Sequence, residues 1–429
     1  MATDFNRLQN FLDYLDDVHE QLDWKNGLRP KHNALPPPIP RGIDEETIAA
    51  RWQVLPVDDA AREVIADDTS MSLRERFRCN VENFIGTVKV PVGVAGPLRI
   101  NGMFAQGDYY YPLATTEATL VASYNRGARV ISEAGGCTTI LANEGVSRAP
   151  GFVFNNLAEA SNFLIWTMRN IKKLRRAAEK TTQHGRLIDI KFNLEGNHVY
   201  FLFDFFTCDA SGQNMTTIAS EAMCKYILEK SPIKPKVYFS ESNLSGDKKA
   251  TIQSFQTVRG RKVTAEVFVP RDLVEKRLHA TPADITRYSN FATAASLLIG
   301  SIGTQGHYAN GLAALYLACG QDVACVAESA VGITRFETTE NGDLHLCVTL
   351  PNLMVATVGG GTQLPSQSAC LDILGLKKPG RAHELAEVVA ALCMAGELSI
   401  VGAICAREFT QAHERFARGN FDEGREGKS

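Results

Sequence analysis

Two long apolar stretches, around residues 292–320 and 388–405, set the first constraint on what this 429-residue chain can fold into. Gln305, His307 and Asn310 interrupt the first and Glu397 the second, so neither reads as a clean membrane span. Both are expected as core helices, and a chain of this length has room for them in two or three domains. The formal net charge of -3 gives no electrostatic reason to expect a nucleic acid or an anionic membrane as partner. The first residues, MATDFNRLQNFLDYLDDVHEQ, lack the basic-then-apolar layout of a secretory leader, and a cytoplasmic protein is expected. Ten cysteines are scattered without a CxxC pair or a zinc-like His spacing. They are expected as buried free thiols, with no metal site.

Apolar residues at steps of three and four predict an amphipathic helix over 5–24, and LPPPIP at 35–40 cannot continue it. Asp44 is placed to cap a following helix with Glu45 and Glu46 in its first turn. From 84 to 100, β-branched residues alternate with Gly and Pro, which favours short strands. Next comes a helix capped at Thr115 or Thr116, with Glu117 in its first turn and Gly135–Gly136 at its end. A basic helix over 157–183, strands at 187–194 and 198–207 and a helix at 213–230 suggest a small α+β insertion. Beyond it lie a strand at 262–269 and long helices at 284–319 and 383–416.

No GxGxxG motif is present. VGGGT (358–362) and GSIGTQG (300–306) lack the strand-turn-helix context of a dinucleotide fingerprint and read as tight turns or close helix packing. By residue type alone Glu117 and Lys248 are ordinary solvated charges and His413 an ordinary surface histidine. Asp322, following the apolar run LAALYLAC, is expected to be buried with a partner.

Four segments carry a more specific signal: ENFIGTVKVPVGVAGPL (82–98), TTEATLVASYNRGARVI (115–131), GDKKATI (246–252) and CGQDVA (319–324). In order and spacing they resemble the hydroxymethylglutaryl-CoA (HMG-CoA) reductase family. The resemblance continues through 348–375 and 395–418. It implies an α+β fold without a Rossmann domain: an N-terminal helical module (1–82), a large CoA- and substrate-binding domain (83–149 and 241–429), and an inserted ferredoxin-like cofactor domain (150–240). It further implies an NAD(P)H-dependent enzyme of the mevalonate pathway, working as a homodimer whose lysine loop reaches across the interface.

On the same resemblance Glu117, Lys248, Asp322 and His413 match the catalytic set. Lys248 would stabilise the oxyanion, Asp322 would hold that lysine charged and link it to Glu117, Glu117 would deliver a proton, and His413 would protonate the departing thiolate. Asn125 and Arg126 would lie near CoA, Arg148, Asp247, Lys249 and Asn310 near the acyl group, and Asp209 and Asn214 near NADPH.

The chain departs from the family at three ligand-facing positions. Gln183 stands where an Arg would meet the extra phosphate of NADP, so NADH is not excluded. Glu241 replaces a Ser, where an acid would repel the free carboxylate of the acyl group, and Asn290 replaces a Lys of the same pocket. Two other readings follow: a reductase for a different acyl thioester, and a non-catalytic CoA-binding paralogue.

Overall fold

The computed structural model describes residues 9–16 and 38–408. The chain separates into two compact units, one of residues 1–71 with 81–86, the other of 72–80 with 87–429.

In the first unit residues 9–16 are helical, and the remainder of the helix expected over 5–24 lies outside the described residues. Helix α1 (Glu45–Val54) begins at the expected cap, where the Asp44 carboxylate accepts from the Thr47 amide at 2.8 Å. Arg51 of α1 is buried, and its guanidinium donates to the carbonyls of Pro40, Gly42 and Phe84. Spreading its charge over backbone dipoles makes that burial tolerable. Helix α2 (Asp59–Ile65) is capped by Asp58.

The second unit opens with an antiparallel hairpin of β1 (Val92–Asn101) and β2 (Gln106–Ala114). Helix α3 runs from Leu120 to Glu133 and ends at Gly135 and Gly136, both at positive φ, as expected. Its start differs. Thr119 is left-handed (φ 71°), a conformation unfavourable for a β-branched residue, and it separates Glu117 from the helix. Glu117 therefore sits in a loop, where the Thr115 hydroxyl accepts from its amide at 3.0 Å.

A nine-stranded sheet follows. Its strands are β3 (Thr138–Arg148), β4 (Gly151–Val153), β5 (Arg186–Glu195), β6 (His198–Phe206), β7 (Val237–Phe239), β8 (Gly260–Val269), β9 (Gly303–Thr304), β10 (Gly332–Thr338) and β11 (Leu344–Leu353). Their order is β7-β4-β6-β3-β8-β11-β10-β9, with β5 also paired to β6. All pairings are antiparallel except β9 with β10. Strand β3 is the hinge of this arrangement: residues 138–145 pair with β8, and only Val146–Arg148 pair with β6.

Helices α4 (Leu157–Arg169), α5 (Ile171–Glu179) and α6 (Gln213–Lys230) accompany β4 to β7 around a separate aromatic core that includes Phe152, Phe163, Phe201 and Phe203. The single helix expected over 157–183 is broken at Asn170, whose side chain turns back to the Trp166 carbonyl. The helix expected over 284–319 is likewise two, α7 (Pro282–Leu298) and α8 (Tyr308–Ala318), with β9 between them. Gly300 and Gly303, at positive φ, make that break.

Helix α9 (Ala382–Cys405) is the centre of the larger core and is buried along most of its length. Among the described residues it alone is long and apolar enough to cross a membrane, but 83% of its apolar window is buried inside the fold. Its acids are anchors. Glu387 accepts from the amides of Phe104, Ala105 and Leu141, and Glu397 from those of Gly306 and His307 and from the Thr334 hydroxyl. Buried carboxylates with this many donors need no counter-ion. Gly127 lets α3 approach α9 closely, because a Cβ there would lie 1.9 Å from the Ala395 carbonyl oxygen.

Candidate active site

Lys248 occupies a loop after β7, held left-handed at φ 55°. Its ammonium lies 3.0 Å from Asp322 Oδ2. The hydrogen bond that Lys248 donates to Asp322 raises the lysine pKa above its usual value, outweighing the opposite effect of desolvation. Asp322 is more open than expected, with 37% of its side chain exposed. The apolar run that precedes it ends at Cys319, and Asp322 caps the short helix Val323–Cys325 by accepting from the Ala324 amide. Gln213 at the start of α6 donates to Asp322 Oδ2 at 3.4 Å and approaches Cys325 Sγ at 2.9 Å.

Beneath Lys248 lies a buried ion network that the sequence did not disclose. Arg148, at the end of β3, donates to Asp247 at 2.9 Å and to Thr217 and the Gln213 carbonyl. Arg259, 4% exposed, bonds the other Asp247 oxygen and the Ser147 carbonyl, and lies 3.4 Å from Glu328. Burial would raise the Asp247 pKa, but Arg259 and Arg148 outweigh it and hold the carboxyl below its usual range. Lys249 turns its ammonium back onto the Asp247 carbonyl. Arg259 lies within a plain TVRG sequence (257–260) with no motif to mark it, and Gln213 gave no signal beyond its place at a helix start.

Glu241 has a different environment from the one expected. Its carboxylate accepts from the amides of Ala149 and Asn243 and from the Ser245 hydroxyl, so it organises the lysine loop.

Glu117 forms a second grouping. Asn310 of α8 donates to both of its carboxylate oxygens, at 3.0 and 3.1 Å. Glu117 is exposed, and among the described residues no hydrogen bond or ion pair joins it to Asp322; the expected link between these two acids is absent within the chain. Asn290 stands on the exposed side of α7, with no hydrogen bond to either grouping among the described residues. Asn125 accepts from the Gly96 amide, and Arg126 reaches the hydroxyl and carbonyl of Ser399 on α9. His413 lies outside the described residues.

Beside Asp322 opens a cleft of about 550 Å3, walled by 210–215, 320–323 and 358–362. Asn214 and Gln213 line it. So does the VGGGT turn, where Gly361 packs backbone to backbone on Gly320. The turn reading of these glycines is right, and they also wall a cleft. Asp209 is not among the lining residues: its carboxylate accepts from the amides of Gly380 and Ala382, fixing the start of α9. Gln183 is exposed in a bend whose neighbours His184 and Gly185 touch Cys208 and Met215 of the same loop region.

Residues 47–418 match the family model described as hydroxymethylglutaryl-coenzyme A reductase. The chain is 44% identical over 358 residues to the 3-hydroxy-3-methylglutaryl-coenzyme A reductase of Pyrococcus horikoshii, covering 81% of this chain and 86% of that one. Against the Haloferax volcanii enzyme of the same name the identity is also 44%, over 79% of this chain and 85% of that one. A class II 3-hydroxy-3-methylglutaryl-CoA reductase from Streptococcus pneumoniae, bound to NADPH, shares the fold with a TM-score of 0.62 at 20% identity, over 83% of this chain and 87% of that one. The protein is thus an α+β oxidoreductase dependent on NAD(P)H. It belongs to the HMG-CoA reductase family.

Proposed function

We propose that the chain reduces HMG-CoA to mevalonate in two hydride steps, with Lys248, Asp322, Glu117 and His413 as its catalytic residues. The observation that carries this reading is the 3.0 Å pair between Lys248 and Asp322, the second of which lines a glycine-walled cleft. Held beside Gln213 and Asn214 in that cleft, a reduced nicotinamide would supply the hydride. Lys248, kept charged by Asp322, faces the oxygen that becomes negative as the thioester carbonyl is reduced. Collapse of the resulting hemithioacetal expels CoA as a thiolate, which His413 protonates. The aldehyde left behind is reduced in turn, and Glu117 serves the proton transfer to its oxygen, with Asn310 fixing the carboxyl.

NADPH is the preferred donor in this reading and NADH is accepted, because Gln183 offers hydrogen bonds but no cation to a 2′-phosphate. Residues 150–240, with their own aromatic core, hold the dinucleotide, while 83–149 and 241–429 hold the acyl-CoA. The 1–82 module serves assembly. Glu117–Asn310 and Lys248–Asp322 form two pairs with no hydrogen bond or ion pair between them among the described residues, an arrangement that fits a homodimer in which each half completes the other across the interface. Glu241, turned to three donors of its own loop, leaves the acyl carboxylate to Arg148 and Lys249.

The test is turnover of HMG-CoA with each nucleotide. Two nucleotides are expected to be oxidised per thioester, and Lys248→Ala is expected to abolish oxidation with both. Absence of turnover in the unmodified protein with either nucleotide overturns the reading.

A further inference from the structure

Away from the cleft, the solvent-facing side of β8, β11 and β10 gathers a second group of reactive side chains. The strands alternate: Ala265, Val267, Leu344, Leu346 and Val348 point into the core, which turns Glu266, His345 and Cys347 outward. Cross-strand register makes Glu266 the direct partner of Cys347, while His345 lies two residues before Cys347 on the same face. His345 Nε2 lies 3.1 Å from Glu266 Oε2 and 3.1 Å from Cys347 Sγ, and Cys347 Sγ lies 3.9 Å from Glu266 Oε2. Three donors around a tetrahedral zinc ion stand about 3.3–3.6 Å apart, given metal–ligand lengths of roughly 2.0–2.3 Å. The observed triangle needs only small side-chain adjustments to reach that size.

We propose that Glu266, His345 and Cys347 form a site for a divalent ion of the zinc class, with a water as fourth ligand. The imidazole is already aimed. Phe268 stacks on it at 4.2 Å with the rings 1° from parallel, and Glu337 Oε2 lies 3.6 Å from Nδ1, a small shift short of the hydrogen bond that an outer carboxylate makes to metal-bound histidines. The donor set of thiolate, imidazole and carboxylate selects zinc or cobalt over magnesium or calcium. Charge also fits. With the thiol deprotonated, Glu266, Glu337 and Cys347 carry three negative charges against the single positive charge of Arg335, which neighbours Cys347 at 3.8 Å. A divalent ion neutralises the remainder. Binding releases the thiol proton, so affinity is expected to rise with pH. The pair His345-x-Cys347 escapes a search for CxxC or zinc-finger spacings, because its third ligand comes from a neighbouring strand.

Co2+ added to the purified full-length protein tests this directly. The expected result is one Co2+ per chain with a thiolate-to-cobalt charge-transfer band, displaced by Zn2+. Cys347→Ser is expected to remove the band, while Cys79→Ser, at an exposed thiol elsewhere, leaves it unchanged. Glu337→Gln is expected to weaken affinity about 10–100-fold through the outer carboxylate alone. That variant is exposed and guards against loss of folding in Cys347→Ser, since unimpaired Co2+ affinity in it also counts against the site. Absence of a band in the unmodified protein, or its survival in Cys347→Ser, overturns the proposal.

Discussion

Lys248 Nζ and Asp322 Oδ2 meet at 3.0 Å although they come from separate loops, and the pair raises the lysine pKa above its usual value. A lysine shifted this way keeps its charge, and the pairing that depends on it, through the ordinary lysine range, losing both only as pH rises through the elevated value. Asp322→Asn is therefore expected to move the alkaline limb of the kcat profile to lower pH and to reduce kcat about 10²–10³-fold, as loss of one oxyanion-stabilising group does. The pH dependence of kcat in both proteins checks this.

Arg259 is the keystone of the buried network under that pair, because Asp247, Glu328 and the Ser147 carbonyl all rely on it. Arg259→Met is expected to cost about 3–5 kcal/mol, the penalty of leaving a buried charge unpaired. Urea unfolding measures it. Since Asp247 is held below the usual carboxylate range, its stabilising contribution is present above about pH 4 and lost as pH falls through the lowered folded-state value. Arg259→Met is expected to flatten that acid dependence.

Glu241 separates two accounts of the lysine loop. If its carboxylate organises the loop through Ala149, Asn243 and Ser245, Glu241→Ala lowers kcat by about tenfold or more, since each charge-assisted hydrogen bond is worth roughly 1.5–3 kcal/mol. KM for HMG-CoA then changes little. If instead it repels the acyl carboxylate, KM falls and kcat holds. Steady-state kinetics of the one variant decides, and the first outcome is expected.

Gln183 lies in the bend beside the 208–215 loop, the place the proposed function gives to the nucleotide phosphate. Gln183→Arg is expected to raise the ratio of kcat/KM for NADPH over NADH by about ten- to a hundredfold, the worth of one charged hydrogen bond. An unchanged ratio would remove Gln183 from the cofactor site.

Where local physics acts alone, the sequence was legible: the Asp44 cap, the α6 boundaries and the diglycine after α3 stand where propensity puts them. It misled where a backbone irregularity intervened. Thr119 adopts a left-handed conformation that no propensity favours, so Glu117 fell out of its helix, and positive-φ glycines split the stretch at 284–319. Long-range partners were the other blind spot. Asp322 seemed destined for burial by the apolar run before it, yet its exposure is set by the cleft it borders. The three donors of Glu241 and the role of Arg259 depend on loops that meet only in three dimensions. The motif resemblance pointed to Glu117, Lys248 and Asp322 and to a pairing of Lys248 with Asp322, whereas the grip of Asn310 on Glu117 could be read only from the fold.

The proposed division of the active site between Glu117–Asn310 and Lys248–Asp322 is tested most directly by mixing two dead variants. Glu117→Gln and Lys248→Ala, co-expressed and purified as mixed dimers under random pairing, are expected to recover about a quarter of unmodified activity, because half the dimers carry one intact site of two. If every site is built within one chain, the mixture stays as inactive as its parents, and that result would contradict the shared site.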